Sequence, residues 1–270
     1  MTSTPNKALR PYWQLASLWG VDAALSAVCW SIFLGVAFQV PILTPCPVVG
    51  VFSAVWLVLL GVRLFKAIAG GDIRNADYYR SHLAAMVVII LAVILAITWI
   101  LLFVAGQMIL GFASVPFLIL LLAFVPLLSR SPQYRTICLS AALVFTLAVP
   151  SHYFAFFASP LQMLLNAPLW LLVIVFFMFS SMRRQDCESA ERSIVVYSVS
   201  LIVFFLYCIW YLAESPEYLH SIYLAIAVSI VCLHILGRLR KCMSEEAWYA
   251  IGWPMMTLPP LLGIFAFAPN

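Results

Sequence analysis

Long apolar runs separated by short polar stretches dominate this chain. About nine such runs follow one another, centred near Ala27, Trp56, Val93, Leu118, Val144, Leu172, Phe204, Ile226 and Leu258. An α-helix needs about 20 predominantly apolar residues to cross the hydrocarbon core of a bilayer. The pattern therefore predicts an all-α polytopic membrane protein, a bundle of about nine transmembrane helices.

The first apolar run follows Lys7 and Arg10, as the apolar region of a signal peptide would. It extends over residues 15–43, and no small-residue cleavage site ends it. We therefore expect it to remain in the protein as the first helix. Because the gaps between the runs are short, we expect residues 1–270 to form a single transmembrane domain.

Composition strengthens this prediction. The chain is 65% hydrophobic and 9% charged, and its mean hydropathy is +1.08, which excludes a soluble domain. A charged side chain at the centre of a bilayer is unfavourable by about 2.5–3.5 kcal/mol. We therefore expect the few charges to mark helix ends and any functional site.

The cations fall into alternate connections between the apolar runs. They are Lys7 and Arg10; Arg63, Lys66, Arg74 and Arg80; Arg130 and Arg135; Arg183, Arg184 and Arg192; and Arg238, Arg240 and Lys241. By the positive-inside rule this predicts a cytoplasmic N-terminus and a C-terminus outside. The net charge of +4 then matches anionic lipid head groups, and we expect membrane lipids and no nucleic acid as partners.

Common catalytic and metal-binding motifs are absent from the sequence. The seven cysteines are scattered without a C-x-x-C pair, so we expect them to be small core side chains. No Gly-rich phosphate loop, H-E-x-x-H or G-x-S-x-G motif occurs. The functional surface is therefore sought among the charged connections.

Two of the predicted cytoplasmic connections mix cations with acids and are longer than the turns on the other face. VRLFKAIAGGDIRNADYYRSH follows the second run, and MRRQDCESAERS follows the sixth. These two connections are the predicted functional surface.

Three stretches resemble a known family: VWLVLLGVRLFKA with YYRSH, FFMFSSMRRQD, and LGRLRKCMSEEAWYAIGWPMMTLPPLL. Together with nine predicted helices and a cytoplasmic N-terminus, they are similar to the UbiA superfamily of intramembrane aromatic prenyltransferases, and most to its uncharacterised bacterial members. The resemblance covers about a quarter of the chain and implies a UbiA-like bundle in the cytoplasmic membrane of a bacterium.

In the catalytic members of that family, Asp-rich motifs at the ends of helices 2 and 6 hold Mg²⁺, which bridges to the diphosphate of an isoprenoid donor. Divalent cations neutralise the charge that develops on this leaving group. Here Val62 and Lys66 stand where the first motif would have its acids, and Gly237 and Trp253 stand where relatives have acids near the last helix. In the helix 6 stretch FFMFSSMRRQD, no Asn or Asp precedes Arg183. The resemblance therefore implies a divergent member with a degenerate Mg²⁺ site.

Such a member is expected to bind an isoprenoid or lipid phosphate through cations, because guanidinium groups hold phosphate in a bidentate manner. The phosphate-binding candidates are Arg63, Lys66, Arg74, Arg80, Arg183 and Arg184. A structural alternative remains open for Arg63 and Lys66, whose long stems are able to reach the head groups from a helix end.

The enzymatic alternative is active transfer of an isoprenyl group from its diphosphate to a lipophilic acceptor. It requires Mg²⁺ held by acids that lie in the connections after the family's motif positions, namely Asp72, Asp77, Asp186 and Glu188. Cations are interleaved with these acids and would lower their affinity for a metal ion by repulsion. Catalytic residues cannot be assigned from the sequence.

Asp22, in SLWGVDAALSAV, is the only acid within an apolar run. An intramembrane acid is a functional candidate, and Asp22 could pair with Arg63 on the neighbouring helix. The alternative is that Asp22 lies near the cytoplasmic end of the first helix, where water solvates its charge. With so little other intramembrane polarity, a small-solute transporter is the weaker third class.

Overall fold

The computed structural model describes residues 13–38, 46–69, 76–99, 132–154, 166–182, 217–240 and 242–267, and the regular secondary structure in these ranges is entirely helical. The helices are α1 (Trp13–Trp19), α2 (Val21–Ala37), α3 (Cys46–Ile68), α4 (Ala76–Ser81), α5 (Leu83–Trp99), α6 (Pro132–Phe154), α7 (Ala167–Met182), α8 (Glu217–Leu239) and α9 (Glu245–Phe267). The prediction of an all-α fold is confirmed for this part of the chain.

The helices follow the predicted apolar runs closely. Each run that falls within the described ranges contains a helix, namely α2, α3, α5, α6, α7, α8 and α9. The runs centred near Leu118 and Phe204 lie outside the described residues. The short helices α1 and α4 were not predicted as separate elements.

Two of the described helices are long and apolar enough to cross a membrane, over Val48–Phe65 in α3 and over His220–Leu239 in α8. The other apolar helical stretches are shorter, at 10–17 residues. They are Val21–Ala37, Leu83–Ala96, Thr136–Ala148, Pro168–Met182 and Ala250–Phe265.

The first predicted helix is interrupted at Gly20, which corrects the expectation of one helix through residues 15–43. Gly20 has φ 73°, a left-handed conformation that glycine adopts without the steric penalty of a Cβ. Its N–H donates to Ser17 O at 3.2 Å and its carbonyl accepts from Ala24 N at 3.2 Å. One residue therefore ends α1 and begins α2, and the last carbonyls of α1 lose their partners within the helix.

Helix α2 lies at the centre of the bundle, in contact with α1, α3, α6, α8 and α9. Its small residues Ala23 and Ala27 are buried beside large aromatic side chains. Trp30 makes edge-to-face contacts with Phe33 and Phe176, with ring centroids 5.8 and 6.0 Å apart. Small residues allow close approach of the helix backbones, and the aromatic rings fill the space between them.

The contact between α2 and α9 depends on a proline and a glycine of α9. Pro260 has no N–H to donate to Met256 O, and Trp30 Nε1 donates to that carbonyl instead, at 2.9 Å. Further along, a Cβ at Gly263 would overlap the ring of Phe33. The same pairing shows that α2 and α9 run parallel.

Prolines have two different places in the helices. Pro168 is the second residue of α7, where a missing N–H breaks no helical bond. Pro254 lies inside α9, together with Pro259 and Pro260. Pro116 lies outside the described residues.

One end of the bundle, here called the polar end, is where α1 meets α2, α3, α7 and α8 end, and α9 begins. One hydrogen bond connects α3 to α1. Another connects residue 240, which directly follows α8, to the end of α7. A cavity between α1 and α9 brings Ser17 near Ala247. The described cations Arg63, Arg80 and Arg240 belong to this end.

Candidate functional site

Arg63 closes the end of helix α1. Its Nη1 donates to Ser17 O at 2.7 Å and to Leu18 O at 3.0 Å, and it lies 3.4 Å from the hydroxyl oxygen of Tyr79. These carbonyls are free because Gly20 interrupts the helix, and a cation is favourable at the negative end of the helix dipole. Arg63 is therefore a capping residue that joins α3 to α1.

Two tyrosines of α4 complete this junction. The Tyr79 hydroxyl donates to Leu18 O at 2.8 Å, and Trp19 Nε1 donates to the Tyr78 hydroxyl at 3.0 Å. Tyr79 is buried, and its ring lies edge-on to that of Tyr78. The short helix α4 is thus held against α1 by side chains whose polar tips find partners, as buried tyrosine and tryptophan usually do.

Arg80 occupies the end of α3 in a similar way but stays accessible. Its Nε donates to Ala67 O at 2.9 Å, and its Nη1 lies 3.9 Å from the carboxylate of Asp77. The Arg80 side chain is 51% exposed and Asp77 is fully exposed, so solvent screens this pair strongly.

Arg240 makes a third contact of this kind, at the end of α7. Its Nη1 donates to Met182 O, the last residue of α7, and its guanidinium carbon lies 4.8 Å from the ring centroid of Trp248. Trp248 is buried, and its Nε1 donates to Leu236 O at 2.9 Å. Arg240 thus caps α7 and stacks on an aromatic ring of α9, and these two contacts join the helix ends.

A cavity of about 380 Å³ opens between α1, α2 and the first half of α9. Its lining is predominantly apolar and includes Ala16, Ser17, Asp22, Ala247, Ala250 and Pro254. Asp22 is in the first turn of α2 and is half-buried, and its Oδ1 accepts a hydrogen bond from Ala23 N at 2.8 Å. A carboxylate at a helix N-terminus is favourably placed with respect to the helix dipole.

The pairing of Asp22 with Arg63 that we considered from the sequence is not formed. The nitrogen of Arg63 that bonds is directed to the carbonyls of α1, and no ion pair within 4 Å joins these two described residues. A Cβ at Gly20 would lie 3.6 Å from Arg63 Nη1, so this arginine also packs against the junction of α1 and α2. The two charged groups therefore serve different neighbours.

The predicted site residues are thus only partly brought together. Arg63, Arg80, Asp77 and Asp22 are placed as given above, and Lys66 lies in the last turns of α3. The remaining candidates, Arg74, Arg183, Arg184, Asp72, Asp186 and Glu188, lie outside the described residues. In the described ranges, no group of three or more His, Cys, Asp or Glu side chains is arranged to hold a metal ion.

Sequence reasoning did not name Tyr79, Arg240 or Trp248 as site residues. A signal existed for Arg240 and Trp248, since both lie in LRKCMSEEAW between two apolar runs. Their interaction depends on the helices that they join, and periodicity alone does not show which helices are neighbours.

Comparison of the chain with protein-family models, with curated proteins and with solved structures finds no match. The resemblance to the UbiA superfamily therefore rests on the sequence stretches quoted above.

Proposed function

We propose that this chain is a polytopic membrane protein of UbiA-like architecture that binds an isoprenoid or lipid phosphate at its polar end. The proposal includes nine membrane spans, a cytoplasmic N-terminus and a C-terminus outside, in the cytoplasmic membrane of a bacterium. It also includes a degenerate Mg²⁺ site.

The apolar outer surface supports membrane residence. In α5, Val88, Leu91, Leu95 and Trp99 are 53–68% exposed, and Phe65 of α3 and Phe265 of α9 are 72% and 81% exposed. Soluble proteins rarely leave large contiguous apolar surfaces in water. Lipid chains would cover such a surface favourably. Apolar helices shorter than about 18 residues are able to span the bilayer if further apolar residues flank them or if the bilayer thins locally.

The observation that carries the binding proposal is the position of cations beside this apolar surface. Arg80 is anchored by Nε to α3 and keeps about half of its side chain exposed. Lys66 directly precedes Ala67, the residue that Arg80 contacts, so both belong to one corner of the polar end. An amphiphile with a phosphate head and an apolar tail matches such an arrangement.

Arg63 is not included among the proposed phosphate ligands, because it is engaged with the carbonyls of α1. The proposed ligands are Lys66 and Arg80, together with Arg74, Arg183 and Arg184 from the two predicted cytoplasmic connections. The first connection follows α3 directly.

Thermal unfolding of the purified chain in detergent, with geranylgeranyl diphosphate and with or without Mg²⁺, tests the proposal. A ligand that binds only the folded state stabilises it by about 2.7 kcal/mol at a hundredfold excess over Kd. We expect a rise in Tm without Mg²⁺, a smaller rise with the neutral tail geranylgeraniol, and loss of the difference in a Lys66→Ala/Arg80→Ala double variant.

Arg238→Ala is the matched control, because Arg238 is an exposed cation of α8 outside the proposed corner. It should respond like the unchanged protein. A rise that requires Mg²⁺ would instead favour the prenyltransferase alternative with Asp72, Asp77, Asp186 and Glu188 as metal ligands. Equal responses to the diphosphate and the alcohol would refute phosphate recognition.

A further inference from the structure

A pair of opposite charges lies at the end of α3, in the short helix α4. Asp77 and Arg80 have an i, i+3 spacing in this helix, which places both side chains on the same side of it. Nη1 of Arg80 lies 3.9 Å from Oδ1 of Asp77. The Arg80–Asp77 pair therefore presents a positive and a negative group to the same ligand.

Both charged groups keep hydrogen-bonding capacity for a ligand. The bond from Arg80 to Ala67 O uses Nε, which leaves the N–H donors of the two Nη atoms. The separation of 3.9 Å from Asp77 is longer than a hydrogen bond. The Asp77 carboxylate is fully exposed, and a carboxylate accepts hydrogen bonds on both oxygens.

Exposed apolar side chains of α3 lie next to the residue that anchors Arg80. Ile68 directly follows Ala67, and Phe65 has an i, i+3 spacing to Ile68. These two side chains are 63% and 72% exposed. A ligand whose head group contacts Arg80 thus has an apolar surface beside it for hydrocarbon chains.

The carboxylate of Asp77 makes this place selective among lipid phosphates. A phosphate that binds the Nη atoms of Arg80 is also close to Asp77, and the two negative charges repel each other. An ammonium group on the same head group reverses the sign, because the carboxylate attracts it. Its N–H donors form charge-assisted hydrogen bonds with carboxylate oxygens.

We propose that the Arg80–Asp77 pair binds the zwitterionic head group of an ethanolamine phospholipid. The phosphate contacts Arg80, the ammonium group contacts Asp77, and the lipid chains lie along Phe65 and Ile68. This inference rests on the proposed function, because it names the head group that the lipid-phosphate site prefers.

Binding of dihexanoyl phosphatidylethanolamine to the purified full-length chain in a non-ionic detergent, measured by titration calorimetry, tests the proposal. Its N-acetyl derivative keeps the phosphate and the chains but lacks the ammonium charge. We expect the unchanged protein to bind the ethanolamine lipid about two- to fivefold more tightly, the range that an exposed ion pair contributes.

Variants of Asp77 should change the two affinities in opposite directions. Asp77→Asn should weaken binding of the ethanolamine lipid about two- to fivefold, and it should strengthen binding of the N-acetyl lipid, because attraction and repulsion are lost together. Asp77→Glu keeps the charge and should keep the preference. Each lipid is compared across variants, so its partitioning into detergent micelles cancels.

Arg80→Ala should weaken binding of both lipids, whereas Arg238→Ala removes an exposed cation of α8 and should change neither. If Asp77→Asn leaves the ratio of the two affinities unchanged while Arg80→Ala weakens both, the head-group inference is wrong and the phosphate proposal stands. If Arg80→Ala changes neither affinity, both are wrong. Should Arg80→Ala fail to fold, the Asp77 variants still decide the head-group question, because Asp77 is fully exposed and its replacement should leave Tm unchanged.

Discussion

Arg63 is where the sequence and the structure differ most usefully at the scale of a residue. Its place in a cationic connection suggested phosphate or a head group as its partner. In the structure a left-handed glycine frees two carbonyls of α1, and Arg63 binds both. The signal for this role was Gly20, 43 positions away along the chain, and no local pattern connects the two residues.

Replacing Arg63 with Met is expected to lower the free energy of unfolding by about 2 kcal/mol, because a charged hydrogen-bond donor is removed from two helix carbonyls. Arg63→Lys should recover only part of the loss, since a lysine lacks the planar fork of donors. Unfolding in mixed detergent, followed by tryptophan fluorescence, measures the change.

Arg238→Met is the matched control and should change the free energy of unfolding little, because Arg238 is exposed. Combining Arg63→Met with Asp22→Asn should give additive losses within about 0.5 kcal/mol, as expected for groups without a shared contact. A coupling free energy well above 0.5 kcal/mol would contradict this and would indicate that Asp22 and Arg63 form an ion pair.

At the scale of the element, the apolar runs predicted the described long helices, because helix length and hydrophobicity are local properties. The runs did not reveal the break at Gly20 or the end of α2 at Ala37. The effect of a proline also depends on its position: Pro168 begins α7, whereas Pro260 lies inside α9 and frees a carbonyl that α2 uses.

The hydrogen bond from Trp30 to Met256 O is expected to matter only while Pro260 is present. Trp30→Phe should lower the free energy of unfolding by about 1–3 kcal/mol beyond the loss of contact area, because it leaves a buried carbonyl without a donor. In a Pro260→Ala background, residue 260 has an N–H for Met256 O, so the same replacement should be less destabilising.

A double-mutant cycle in detergent measures this difference. Leu262→Ala, at an exposed position of α9, is the control background and should leave the effect of Trp30→Phe unchanged. Equal effects of Trp30→Phe with and without Pro260 would show that the proline does not create the need for the tryptophan.

At the scale of the whole molecule, the distribution of charge is the property that organises the bundle. Three described arginines, Arg63, Arg80 and Arg240, lie at the end where α3, α7 and α8 end and α9 begins, and they bind carbonyls of α1, α3 and α7. Cations are favourable at the C-terminal ends of helices. The same side chains therefore serve helix stability and, in the proposed orientation, the cytoplasmic face.

The proposed orientation predicts that Cys242, exposed between α8 and α9, faces the cytoplasm. In a variant that keeps only Cys242, a membrane-impermeant maleimide should label inside-out vesicles and leave intact cells unlabelled. A variant that keeps only Cys232, which is buried, is the control and should stay unlabelled in both. Labelling of Cys242 in intact cells would invert the topology.

The sequence by itself determined that the described chain is helical and which residues of each run are apolar, because these follow from composition and spacing along one segment. It also determined that the cations recur in alternate connections. Only the tertiary structure decided that Arg63 caps α1, that Trp30 satisfies a carbonyl of α9, and that Asp22 lies beside Ala250 in a cavity. These contacts join residues far apart in the chain, and their partners exist only after Gly20, Pro254 and Pro260 have removed local hydrogen bonds and the helices have packed together.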